Sequence, residues 1–160
     1  MNDVTVGAGG WIIDSITGYF TYGYGSWPST FDVRINIFPK SGALPGAGDD
    51  PTSGAVYSAT SSYESPYQLI TASGLNIALA PGDYWIGITP ILSYGSYGQE
   101  YHAPTSSVVG DMAAVRNPGG GFGLGNGWLT HEAAFEVAYD SAFLIEGEMG
   151  GEGAVPEPAT

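Results

Sequence analysis

Hydrophobic and polar positions alternate along much of the chain with a period of two, as strands require, because successive side chains of an extended backbone point to opposite faces. The clearest run is "TFDVRINIFPK", where Phe31, Val33, Ile35 and Ile37 share one face and Asp32, Arg34 and Asn36 the other, with Pro39 ending it. It predicts a strand with one face in the core and one in water. "WIIDSITGYFTYGYG" predicts a second strand, with Ile12, Ile16 and Phe20 on one parity and Ser15 and Thr17 on the other. "APGDYWIGITPI" predicts a third, in which Tyr84, Ile86 and Ile88 oppose Trp85, Gly87 and Thr89.

Shorter strand signals come from "AVYSATSSY", "YQLITA", "LNIAL", "DMAAVRN" and "AFLIEGE", with Pro66 and Gly74 as punctuation. Residues 41–54, "SGALPGAGDDPTSG", carry every turn signal available, and the repeats "SYGSYGQEY" and "NPGGGFGLGNGW" hold too much glycine for a regular element. "THEAAFEVAY" is the one stretch spaced like a helical turn. Short strands about ten residues apart, divided by Gly and Pro turns, predict an all-β chain. The expected architecture is an antiparallel, jelly-roll-like β-sandwich of about eight strands over residues 1–148, followed by a linker and tail over 149–160. A closed barrel shares the same periodicity.

The length of 160 residues suits one domain, able to bury about 70% of the surface its unfolded chain exposes. Charged residues make up only 12% of the chain, about half the usual share, so Ser, Thr, Asn, Gly and Tyr must dress the surface, as in secreted proteins. Sixteen acidic residues against three basic ones give a net charge of -13. That balance repels phosphate backbones and anionic membrane surfaces, which excludes nucleic acid as a partner. Cysteine is absent, removing disulfides, thiolate metal sites and cysteine nucleophiles. No apolar run approaches the roughly 18 residues of a membrane span, and the signal peptide of an exported protein would stand ahead of Met1.

Two aromatic clusters are the most suggestive surplus. Tyr19, Tyr22, Tyr24 and Trp27 lie in "YFTYGYGSWPS", and Tyr94, Tyr97 and Tyr101 in "SYGSYGQEY", beside glycines that leave rings exposed; Trp128 closes the glycine-rich segment. Aromatic faces stack on the apolar faces of sugars, which makes these eight residues the candidate ligand-binding set, with packing at the rim of the sandwich as the alternative. In "GAGDDPTSG", Asp49 and Asp50 are hard oxygen donors on a bendable loop and allow a calcium site, although the loop lacks the Asp-x-Asp-x-Asp-Gly series and closing glutamate of an EF-hand. Asp3, Asp14 and Asp111 are further unplaced calcium candidates. No other cofactor is expected.

Catalytic signals are poor. His102 and His131 are the only histidines, and Glu100 with His102 has a spacing compatible with two metal ligands, but zinc requires three or four, so both read as ordinary surface histidines. Asp14, Asp32, Glu100 and Glu136 lie on or near strands without a glycosidase or other catalytic motif, and no Gly-x-Ser-x-Gly elbow exists. The chain therefore reads as non-enzymatic.

The ending "VPEPAT" belongs to no helix or central strand, because two prolines one residue apart remove donors and force extended backbone. Val155, Pro156, Glu157 and Pro158 resemble the start of the PEP-CTERM sorting signal of exported bacterial proteins. "NDVTVGAGGWIIDSITGYFTYG", "FDVRINIFPKSGALPG", "APGDYWIGI" and "DSAFLIEGE" resemble, in the same order, successive segments of the β-sandwich domains that often precede that signal. Pro39, Lys40 and Ser41 depart from the turn expected there. In that family a transmembrane helix and an arginine cluster follow, and a membrane exosortase recognises the whole. The resemblance implies export to the cell surface or biofilm matrix, exosortase as a partner, and membrane attachment only through a helix beyond Thr160; it implies no activity. Together these readings predict an extracellular, surface- or matrix-associated domain that binds carbohydrate or exopolysaccharide. The rival is a self-associating sheath, filament or matrix subunit.

Overall fold

A computed structural model describes residues 1–21 and 27–150. The chain is all-β and antiparallel. Its main strands are β1 (Asn2–Val6), β2 (Trp11–Thr21), β3 (Thr30–Pro39), β4 (Ala55–Glu64), β5 (Tyr67–Leu79), β6 (Gly82–Pro90) and β10 (Phe143–Met149). They form one continuous sheet in the order β1-β6-β3-β4-β5-β2-β10. The sheet curls on itself, so the two layers of this sandwich-like fold are parts of a single sheet. Strands β2 and β6 are not neighbours in it, yet a Cβ built on Gly18 of β2 would stand 2.9 Å from Ile88 Cγ2 of β6 across the core.

The inner face carries Ile13, Ile16 and Phe20 from β2, Val33 and Ile35 from β3, Ile70, Ala72 and Leu75 from β5, and Ile86 and Ile88 from β6, all buried. Their removal from water is the main favourable term of folding. β3 and β6 alternate as their sequences predict. β2 does not: Ile12 is 44% exposed and Ile13 fully buried. A register shift between Ile13 and Ser15 moves the inward parity from odd to even, so Ile16 and Phe20 point in as expected and Ile12 does not. The partner strand absorbs the other half of that irregularity. "YQLITA" and "LNIAL" are one strand, β5, kinked where Gly74 and Asn76 take positive φ values of 68° and 50°.

The outer face is drier than alternation predicts. Asn36 of β3 is buried, because residues of the 41–54 loop cover it and its Nδ2 donates to the Pro51 carbonyl at 2.9 Å. Trp85 of β6 is buried as well, beneath Lys40, whose Nζ lies 5.6 Å from its ring centroid.

Residues 91–142, between β6 and β10, build a cap from short pieces: α1 (Tyr94–Tyr97), β7 (Tyr101–His102), β8 (Ala114–Val115), β9 (Leu129–Thr130) and α2 (His131–Phe135). The helical turn predicted in "THEAAFEVAY" is α2, whose Thr130 Oγ1 accepts from the Ala133 N–H at 3.1 Å. The "SYGSYGQEY" repeat, expected to be all loop, contributes α1 and β7, while "DMAAVRN" yields only the two-residue β8. Strand β7 continues the β10 edge of β2, pairing His102 with Phe20 and Tyr101 with Thr21. Asp140, buried, accepts from the N–H groups of Val109 and Ala113 at 2.8 and 3.0 Å, and so fastens the cap to the start of β10. No helix among the described residues is long and apolar enough to cross a membrane.

Candidate functional site

Between the cap and the end of the curled sheet lies a half-enclosed cavity of about 360 Å³, within the ~300–1,000 Å³ range of small-molecule sites. Pairing of β7 with β2 sets Glu100, Tyr101 and His102 along one wall. The β8–β9 pair sets Arg116 along another, and α2 with the segment after it supplies His131, Phe135 and Tyr139. Phe20, from the sheet core, forms the floor.

His102 is no surface histidine. Its ring packs 4.2 Å from that of Phe20, and burial lowers its pKa from 6.5 to about 3, leaving it neutral at physiological pH. Its Nδ1 is buried and has no hydrogen-bond partner among the described residues. An unsatisfied buried polar atom costs about 1–3 kcal/mol. Glu100 stands two residues away in the same wall, and burial alone pushes its carboxyl up from 4.5 to about 7. It forms no ion pair among the described residues.

Two further polar side chains of the lining, His131 and Arg116, are occupied. His131 donates from Nδ1 to the Val137 carbonyl at 2.9 Å and is sandwiched by Tyr139 and Phe135, with ring centroids 3.8 and 4.8 Å away; burial lowers its pKa. Arg116 donates from Nε to the Asn126 carbonyl and from one terminal nitrogen to that of Asp49, at 2.8 and 2.7 Å. Phe122 stands on the lip, 61% exposed, with a φ of 60° that bulky residues rarely adopt. Gly120 and Gly123 on either side take 65° and 72°, which explains why the segment is rich in glycine.

Of the eight aromatic candidates, Tyr101 lines this cavity and is 51% exposed. Trp27 packs against Phe20 and Phe31 at 6.2 and 5.8 Å, at the rim of the core. Trp128 is also a packing residue: it meets Phe38 edge-on, and its Nε1 donates to the Asp49 carbonyl at 2.9 Å. Tyr19 faces a separate groove beside Asn2 and Phe143. Tyr94 and Tyr97 sit on α1 outside the cavity, the former 74% exposed. Tyr22 and Tyr24 lie outside the described residues, as do Val155, Pro156, Glu157 and Pro158. The structure thus does not assemble the described members of this set into one platform.

The two loop aspartates turn to local bonds. Asp49 Oδ2 accepts from the Gly46 N–H at 2.7 Å, and Asp50 Oδ1 accepts from both the backbone N–H and the hydroxyl of Thr52 at 2.8 Å, which lowers its pKa. Asp14 is exposed on β2, whereas Asp3 and Asp111 do converge, on the Lys40 ammonium at 2.8 and 2.6 Å. Among the described residues no three His, Cys, Asp or Glu side chains gather as a metal site.

Phe122, Phe135, Tyr139 and Arg116 carry no signal of a site in the sequence. Glu100 and His102 stood out in the sequence only as a spacing. No family model matches the chain, no curated protein is significantly similar to it, and no solved structure matches its fold.

Proposed function

We propose that this chain is an exported, surface- or matrix-associated domain that binds carbohydrate or exopolysaccharide without transforming it. The observation that carries the reading is the cavity at the cap: exposed aromatic faces at Tyr101 and Phe122, and unpartnered polar atoms at Glu100 and His102. Aromatic faces for the apolar side of a pyranose and acceptors for its hydroxyls are what a sugar site needs. Among the described residues Glu100 is the one carboxylate lining the cavity, and glycoside hydrolysis in its common form uses two. Export and exosortase recognition rest on the resemblance of residues 155–158 to a sorting signal.

The test is a calorimetric screen against neutral, acidic and amino polysaccharides, with calcium and again with chelator. Saturable binding that Tyr101→Ala and Phe122→Ala each weaken about tenfold, roughly 1.4 kcal/mol, supports the reading. Silence across the panel sinks it. A chelator effect would bring Asp49 and Asp50 back as calcium ligands.

A self-assembling subunit is the second reading, favoured by one observation: among the described residues β1 and β10, the two ends of the curled sheet, remain edge strands with no ladder between them. Light scattering at micromolar concentration separates the two, since a binding module stays monomeric.

A further inference from the structure

One stretch of the cavity wall sets a lone carboxylate beside a neutral imidazole ring. Glu100 is half-buried and has neither a hydrogen-bond donor nor a cation beside it among the described residues. Two residues on, the neutral His102 ring presents a buried Nδ1 that nothing satisfies. The basic groups of the chain each hold other partners, and none of them pairs with Glu100 among the described residues. Arg116 is held by two backbone carbonyls, Arg34 donates to the Gly54 carbonyl at 2.7 Å, and Lys40 sits between Asp3 and Asp111. The Met1 amine donates to the Ala114 carbonyl at 2.7 Å, and His131 is turned to Val137.

A ligand carboxylate entering here would find one cation, Arg116, already held by two backbone carbonyls, inside a molecule of net charge -13. An ammonium would find one carboxylate to pair with, Glu100, and the aromatic residues Tyr101, Phe122, Phe135 and Tyr139 in the lining. Aromatic faces attract cations through their quadrupoles, and a partly desolvated ion pair is stronger than one in water. Resting on the carbohydrate reading above, we infer that the glycan recognised by this cavity is an amino sugar with a free amine, its ammonium set against Glu100.

The test compares three trisaccharides by calorimetry near neutral pH: glucosamine with free amines, its N-acetylated counterpart, and a uronic acid. The expected order places the free amine at least about tenfold tighter than either other sugar. Glu100→Gln should remove that preference. Glu148→Gln, which deletes an exposed charge on β10 away from the cavity, should change affinity less than about twofold and so separates a specific pair from the general field. The inference is overturned if the N-acetylated or uronic sugar binds as tightly as the free amine, or if the two glutamate variants behave alike; the carbohydrate reading survives either result. Silence from all three sugars removes both.

Discussion

Asn2 and Ser141, far apart in sequence, exchange two hydrogen bonds: Asn2 Nδ2 donates to the Ser141 carbonyl at 2.6 Å, and the Ser141 N–H donates to Asn2 Oδ1 at 3.1 Å. The amide side chain reproduces a backbone pair and joins the first edge strand to the segment that opens the last. Both residues are buried. Asn2→Ala orphans a donor and an acceptor together and should cost about 2–4 kcal/mol in urea denaturation, more than an exposed change on the same strand such as Thr5→Ala.

Lys40 holds the cap against the sheet by pairing with Asp111 of the cap and Asp3 of β1. Hydrogen bonds to Asp111 and Asp3 raise its pKa above the ordinary lysine value. A raised folded-state pKa means this contribution is fully present below the unfolded value of about 10.4 and is lost only as pH climbs through the higher folded value. Lys40→Met leaves two carboxylates facing each other and should cost about 1–2 kcal/mol at neutral pH. Chemical denaturation of the variant beside the wild type at neutral pH measures the loss.

The position of Lys40 also shows where the sequence stops being readable. Strands β3 and β6 are legible because one face of each meets the core without interruption. β2 is misread at Ile12, since a bulge is a tertiary adjustment between partners and leaves the composition of the strand unchanged. Burial of Asn36 and Trp85 on the outer face depends on loops distant in sequence. The site is less legible still: Glu100, Arg116, Phe122 and Tyr139 come from four short segments distant in sequence, and only the packing of the cap brings them to one cavity.

Gly18 occupies an inward position of β2 between Ile16 and Phe20. A Cβ there would meet Phe20 Cε2 at 2.6 Å and Ile88 Cγ2 at 2.9 Å. Gly18→Ala should destabilise the fold by about 1–3 kcal/mol through overpacking. Because the displaced ring is the floor of the cavity and stacks on His102, sugar affinity should fall with it. Denaturation and calorimetry on the same variant read both effects; unchanged affinity would separate Phe20 from the site.

Glu100 and His102 should pull the pH dependence of stability in opposite directions. The folded pKa of Glu100 is raised from 4.5 to about 7, so its contribution is full below pH 4.5 and is lost as pH rises through 7. That of His102 is lowered from 6.5 to about 3, so its contribution is full above pH 6.5 and is lost as pH falls towards 3. Between these limits the two slopes offset each other. Glu100→Gln should stabilise the protein by about 1–2 kcal/mol at alkaline pH, after discounting for solvent screening of a partly exposed carboxyl. It should also leave a profile that falls with acidification, the His102 slope unmasked. A flat thermal-denaturation profile for that variant between about pH 4 and 7 would contradict the burial assigned to His102.

Phe122 separates stability from function most sharply. Its ring is mostly in water, so its removal forfeits little burial, while its left-handed φ of 60° strains any residue with a bulky side chain. Glycine takes that conformation without penalty. Phe122→Gly should therefore raise stability by about 1 kcal/mol while weakening sugar binding by about tenfold. Phe122→Ala, which keeps the strain and loses the ring, should weaken binding equally without the gain in stability. Thermal denaturation and calorimetry on the pair decide the matter: strain retained for the sake of an exposed aromatic face is the mark of a binding residue, and equal sugar affinity in wild type and both variants would reduce Phe122 to an accident of the loop.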